Sequence, residues 1–351
     1  MPSSKKINWF RISLPIVVLL VMIYPVLRVL DWYGIQVSTH PVTWLGSWLA
    51  ITLLVRRSFA GSAGLSRSVV VHWLGIGFVC LWPVLAYEII RSIFDMDDQI
   101  SATVVGTFVL LVIGYSMLAA HFFKIRKIKI SSKKLGDNVR VVQLSDVHIG
   151  SRSRLFLQRI VRRVNRLNPD IVVITGDLLD TRAVDLEMLR PLADISADCY
   201  FVTGNHERYI DLERICDDLA IHGLHVLRNR RVDAGGVELI GIDDAENPKQ
   251  VALHLPNMPA LTEKFQILLY HKPEGWSDAI AAGIDLKLSG HTHNGQVFPF
   301  NYLVKRQFPL IKGLYRRNQH HLYVSPGTGT WGPMMRLGSF NEISCIDLLR
   351  H

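Results

Sequence analysis

The chain has 351 residues, 49% of them hydrophobic, and a formal net charge of +9. Residues 1–136 carry 14 Lys+Arg against 5 Asp+Glu, while residues 137–351 carry 25 of each, so the whole excess sits in the first part. The second part has no net charge to attract nucleic acid, so no nucleic-acid partner is expected, and four cysteines without CxxC spacing give no support to a disulfide framework or a zinc ribbon.

In chain order, uncharged stretches run over 12–27, 34–55, 68–87 and 99–123. About 20 apolar residues cross a bilayer core. Three of the stretches satisfy this directly, and the first, at 16 residues, does so if Arg28 snorkels at its helix end. Lys5, Lys6 and Arg11 precede the first span, Arg56, Arg57 and Arg67 fill the second loop, and Lys124, Arg126, Lys127 and Lys129 follow the fourth. The other loops hold Asp95, Asp97 and Asp98 but little positive charge, so both termini are expected on the cytoplasmic side. His72, Glu88 and His121 fall near span ends and no acid or base stands at mid-span. Residues 1–123 therefore read as an anchor of about four helices in an inner (plasma) membrane, not a conducting path. Residues 124–138 read as a linker and an edge strand whose lysines discourage aggregation.

From Val139 onward, apolar runs alternate with amphipathic ones. Leu155, Ile160, Val161, Val164 and Leu167 form one helical stripe that Asn168 and Pro169 end, and further helices are expected over 184–192, 207–221 and 275–282. Strand-like runs at 236–242, 321–325 and 343–349 suggest a second sheet packed on the first. Five β-prone runs, 139–144, 171–174, 200–202, 265–269 and 286–288, each lead into a polar block. The blocks are Asp146 with His148, Asp177 with Asp180, Asn205 with His206 and Glu207, His271, and Gly290-His291-Thr292-His293. Loops at the C-terminal ends of such strands are where α/β folds keep their chemistry. Four imidazoles (His148, His271, His291, His293), two carboxylates (Asp146, Asp177) and the Asn205 amide oxygen make seven ligands, too many for one tetrahedral zinc. The set fits two ions of manganese, iron or zinc character.

In this order, DxH, GDxxD, GNHE, His and GHxH resemble the calcineurin-like metallophosphoesterase superfamily, and Gly327-Thr328-Gly329-Thr330-Trp331-Gly332-Pro333 through Arg336 resembles its membrane-associated bacterial branch. The resemblance covers residues 139–351 and implies a four-layer α/β/β/α sandwich. It further implies that Asp146, His148, Asp177 and His293 hold one divalent metal and Asp177, Asn205, His271 and His291 a second, with Asp177 as the bridge. By the same resemblance, two such ions, ~3.5–4 Å apart, would share a hydroxide for in-line attack on phosphorus. His206 then matches a proton donor to the leaving group and Asp180 the carboxylate that orients it. For Asp180 a helix N-cap before Val184 is the competing role.

The function expected is a membrane-anchored phosphodiesterase or pyrophosphatase acting on a phosphoester or pyrophosphate, with a lipid-linked precursor or a nucleotide as candidate substrates. The alternative is a non-catalytic metal-binding sensor or scaffold. The aromatic and basic stretch 298–317 reads as a solvated loop beside the metals, able to touch lipid or phosphate, and Arg336 as a candidate phosphate contact. Asn294 stands where the branch more often has glycine.

Overall fold

The computed structural model describes residues 14–36, 41–60, 64–94, 96–180, 184, 186–261 and 263–351. Lys5, Lys6, Arg11 and Asp95, on which part of the orientation argument rests, lie outside the described residues. The chain divides into two compact units, Met1–Met117 and Leu118–His351.

The first unit is helical: α1 (Leu14–Trp32), α2 (Pro41–Ala60), α3 (Leu65–Arg91) and α4 (Asp98–Ala119), the last reaching two residues into the second unit. Among the described residues, three helices, α1, α3 and α4, are long and apolar enough to cross a membrane. The second expected span forms the 20-residue α2, which includes Arg56 and Arg57 near its end. At Gly77 the backbones of α1 and α3 meet so closely that a Cβ would lie 2.0 Å from the Val21 carbonyl oxygen, the small-residue contact that apolar helices use when packing area is their main attraction. Arg28, expected at the end of the first span, is paired with Glu88 and Asp31. Its guanidinium donates to Glu88 at 2.8 and 3.0 Å, and the Trp32 indole donates to the same carboxylate at 2.8 Å. Two charges near apolar surroundings are cheaper paired than alone.

The second unit contains two six-stranded sheets. Its elements are β1 (Phe123–Ser132), β2 (Val139–Leu144), α5 (Arg154–Asn165), β3 (Ile171–Thr175), α6 (Leu186–Leu189), β4 (Asp198–Val202), α7 (Leu212–Ile221), β5 (Leu224–Val226), β6 (Arg230–Ala234), β7 (Val237–Gly241), α8 (Gln250–His254), β8 (Phe265–Leu269), α9 (Trp276–Ala281), β9 (Leu286–Ser289), α10 (Phe300–Gln307), β10 (Gly313–Arg317), β11 (His320–Val324) and β12 (Asn341–Arg350). The strand orders are β1-β12-β2-β3-β4-β5 and β10-β11-β9-β8-β7-β6. One core joins Leu144, Ile174 and Phe201 of the first sheet to Leu157 and Ile160 of α5 and Leu219 of α7. A second lies between the sheets, where Val141, Val173 and Val202 meet Leu239, Ile267 and Leu288. A third packs Ile240 and Leu268 against Val251 of α8 and Ala279 of α9. The layers are therefore α/β/β/α. Both faces of each sheet are covered, which is why the central strands read as unbroken apolar runs.

Three local expectations change. The 343–349 run, assigned to the second sheet, is β12 of the first, lying between β1 (parallel) and β2 (antiparallel). Sheet membership follows from long-range pairing, which alternation alone does not encode. The single helix over 207–221 is a 3₁₀ turn, Glu207–Tyr209, followed by α7, because Asp211 caps the Arg214 N–H at 3.3 Å and restarts the helix. The stretch 298–317 is ordered secondary structure, α10 and β10, not a loop. β1 pairs with β12 along its whole length at the sheet edge, burying Ile128 and Ile130 and exposing Lys127 and Lys129.

Candidate metal centre

The loops that leave β2, β3 and β4 of the first sheet meet those that leave β8 and β9 of the second. At their tips, five non-glycine residues adopt the left-handed region: Asp146 (φ 52°), His148 (56°), Asp177 (52°), His291 (72°) and His293 (47°). Each such residue costs about 1–3 kcal/mol unless its surroundings dictate it. Here they do so through bonds between the loop backbones: Asp146 N–H donates to Gly176 O at 3.0 Å, His148 N–H to Asp177 O at 3.1 Å and Gly290 N–H to His271 O at 2.8 Å. The conformation turns each side chain inward at a strand end. Asn294, also left-handed at φ 50°, fills a glycine-like position with the side chain that best tolerates it.

The candidate ligands gather in overlapping groups. Potential ligand atoms of Asp146, His148 and His293 all lie within 4.8 Å of one another, as do those of Asp177, His271 and His291, and those of His148, Asp177 and His206. His148 Nε2 is 3.0 Å from His293 Nε2, and His293 Nε2 is 3.4 Å from Asp146 Oδ1. On the other side His271 Nε2 lies 3.2 Å from each of Asp177 Oδ2, Asn205 Oδ1 and His291 Nδ1. His271 Nδ1 donates to the Thr175 carbonyl at 2.8 Å, which leaves Nε2 with its lone pair for the cavity, the usual arrangement behind a metal-binding imidazole. Buried lone pairs so close together repel one another without a proton or a cation between them. The mixed nitrogen and oxygen donors therefore fit divalent ions of the first transition row.

The electrostatics agree. Burial and neighbouring positive groups push His291 down to about 3 and lower His293, so both rings stay neutral and able to ligate. Burial opposes a charge on His271, but Asp177 and Asp146 outweigh it and raise the ring to about 10. The two carboxylates thus favour positive charge beside Nε2, which a cation bound to that lone pair would supply. Burial likewise opposes ionisation of Asp177, and His271, His206 and His148 outweigh it, holding the carboxyl well below its usual range. Asp180 lies with its Oδ1 3.0 Å from His206 Nδ1 and 3.4 Å from His148 Nδ1. Those rings overcome its burial and hold it low, while Asp180 and Asp177 overcome the burial of His206 and raise that ring. Asp180 thus faces the site, although residues 181–183, which lead to the expected helix start, lie outside the described residues.

Several supports were not foreseen. Glu207, fully buried, accepts the backbone N–H groups of Asp177 (2.9 Å), Leu179 (3.0 Å) and Gly204 (2.7 Å), clamping two ligand loops together. Its place beside His206 in the GNHE block was the available signal. Ser145 Oγ donates to Asp146 Oδ2 at 2.6 Å, and His291 N–H reaches both Asp146 oxygens at 3.1 Å. That approach requires Gly290, where a Cβ would lie 1.9 Å from Ser145 Oγ and 2.3 Å from Asp146 Oδ2. Arg336 is not a phosphate contact. It is fully buried and donates to His293 O at 2.9 Å, Asn341 Oδ1 at 3.0 Å, Ser339 Oγ at 3.2 Å and the carbonyl of Gly329, so its fork is spent on holding the His293 loop. The Gly327 to Gly332 stretch wraps the same loops: Thr328 and Gly329 N–H groups donate to Ser145 O (2.7 Å) and Asp146 O (2.9 Å).

Residues 139–295 match the family described as calcineurin-like phosphoesterase. The chain is 38% identical over 327 residues to a transmembrane protein with metallophosphoesterase domain from Danio rerio, covering 79% of this chain and 74% of that one. It is 34% identical over 236 residues to an uncharacterized metallophosphoesterase from Campylobacter jejuni, covering 64% of this chain and spanning 63% of that relative's length. A third similar protein, an uncharacterized metallophosphoesterase from Aquifex aeolicus, is 35% identical over 256 residues, covering 69% of this chain and 98% of its own.

Proposed function

This chain belongs to the calcineurin-like phosphoesterase family, and on that premise we propose that it is a membrane-held phosphohydrolase working with two divalent cations. The observation that carries the reading is the convergence of seven ligand-type side chains from five strand ends on two sheets, in overlapping groups that Asp177 and His148 each join. Asp146, His148, Asp177 and His293 would hold one cation and Asp177, Asn205, His271 and His291 the other. Bound there, the pair would supply the Lewis acidity that activates water and offsets charge on the phosphoryl oxygens. Manganese, iron and zinc all suit the donor set.

The chain's own residues supply the rest. His206, with its Nδ1 against Asp180, keeps a proton on Nε2 for the departing oxygen, and its raised pKa favours carrying that proton at neutral pH. Asp180 is the positioning residue that fixes the ring. The substrate class proposed is a phosphodiester or pyrophosphate, including lipid-linked and nucleotide esters, because a catalyst tethered beside a bilayer meets amphiphilic esters at high local concentration. The proposed setting is an inner membrane crossed several times, with the hydrolytic unit on the cytoplasmic side next to Lys124, Arg126, Lys127 and Lys129.

The test is metal analysis of the purified full chain together with hydrolysis of a chromogenic phosphodiester. Expected are about two ions per active chain, loss of turnover with chelator and recovery on adding manganese, and loss of both ions and turnover in Asp177→Ala. Activity in protein holding one ion or none would overturn the proposal. A non-catalytic sensor would bind the ions and leave the ester intact.

A further inference from the structure

An apolar and basic surface borders the metal centre. None of α10's eight residues is buried, and Phe300 (44% exposed), Tyr302 (65%) and Leu303 (62%) face outward, with Phe298 (49%) at 5.9 Å ring distance from Tyr302. Short helices in proteins are normally stabilised by burying an apolar face. The apolar side chains of this one stay largely exposed, so a second apolar phase that covered Phe300, Tyr302 and Leu303 would add to its stability. The exposed charge along this stretch of chain has one sign: no Asp or Glu occurs over 286–341, whereas Lys305, Arg306, Lys312, Arg316 and Arg317 are exposed.

The helix is fastened to the metal-ligand loop at both ends. Its first turn lies against Gly295, where a Cβ would come 2.3 Å from Asn301 Cα, two residues after His293. Phe308, just past its last turn, meets the His291 ring edge-on at 4.9 Å between centroids.

We propose that α10, with Phe298, is an interfacial docking element that rests on an anionic lipid bilayer at the mouth of the metal centre. Aromatic and leucine side chains beside lysine and arginine are the composition of segments that lie in the headgroup region. A bilayer is at hand because the same chain carries helices long and apolar enough to cross one. Such tethering makes even a two-turn contact effective, since docking is then intramolecular. The inference concerns a surface and does not depend on the proposed hydrolysis.

The experiment uses the full chain reconstituted in phosphatidylcholine vesicles with or without about 30 mol % phosphatidylglycerol. Leu303→Cys carries an environment-sensitive fluorophore, with Ile221→Cys, 71% exposed on α7, as the reference and the unsubstituted chain labelled in parallel to subtract native cysteines. In anionic vesicles, doxyl-labelled lipid is expected to quench the Leu303 site at least about threefold more than the Ile221 site, and the excess to vanish in pure phosphatidylcholine and in the K305E/R306E variant. Because α10 contributes no buried residue, an unchanged Tm in detergent shows these variants are folded. Equal quenching at the two sites, quenching indifferent to lipid charge, or quenching that appears only when an ester substrate is added would overturn the proposal, the last by making the substrate's own apolar portion the occupant.

Discussion

Glu207 shows how a residue outside the ligand set can govern it. Three backbone N–H groups from two loops converge on its buried carboxylate. Replacing Glu207 with Gln sets an amide N–H₂ against donors it cannot accept from, and is expected to cost about 2–4 kcal/mol. Thermal unfolding of the full chain would show this as a lowered Tm, accompanied by weaker metal retention. Gly290→Ala is expected to act differently, leaving the sheets intact but forcing the added methyl into Ser145 and Asp146. Metal content per folded chain should fall sharply; full occupancy would show that the loop yields. His206→Ala separates proton donation from metal binding. It should lower kcat by about 10²–10⁴-fold on an alkyl phosphodiester and far less on a nitrophenyl ester, whose leaving group departs without a proton. Equal losses on both substrates would remove His206 from the donor role.

At the level of elements, the strands that carry ligands were readable because each is covered on both faces and so forms a short unbroken apolar run before a polar block. β5, β6 and β10 were not foreseen, being short or half-exposed. Nor was α10, whose apolar residues satisfy no internal core. The β10–β11 hairpin carries a test of its own. Burial, with the charge of Arg316 opposite in the ladder and His320 beside it, lowers the pKa of His321 below its ordinary 6.5. The folded chain therefore binds fewer protons there than the unfolded chain, so stability falls as pH drops from about 6.5 towards the lowered folded value, and is unaffected above. Chemical denaturation at pH 5.5 and pH 7.5, values chosen to bracket about 6.5, should show a smaller difference for His321→Gln than for the unsubstituted chain. An identical pH response in the two would refute the assignment.

For the whole molecule, α2 is the element that separates the four spans expected from the three helices long and apolar enough to cross a membrane among the described residues. α2 has the length of a span but holds Arg56 and Arg57. If α2 crosses, as the four-span reading expects, Ile35→Cys and Asp97→Cys are labelled from one side by a membrane-impermeant maleimide and Ser66→Cys from the other. Labelling of Ile35→Cys and Ser66→Cys from the same side would leave α2 on the surface and the hydrolytic unit on the side opposite to the N-terminus. Cys199 and Cys345 are buried and Cys80 and Cys216 half-buried, so the unsubstituted chain sets a low background.

Local pattern alone settled which residues are apolar enough to leave water, which unbroken apolar runs are strands and which polar blocks stand at their ends. Burial and side-chain chemistry act on neighbouring positions, and so are written in the order of residues. Only the folded chain decided that β12 joins the first sheet, that Arg28 turns to Glu88, that Arg336 is spent on the His293 loop and that Glu207 ties Asp177 to Gly204. Each of these is a choice among partners far apart in the chain, made by where the remaining hydrogen-bond donors and acceptors end up in space, and no local periodicity records that choice.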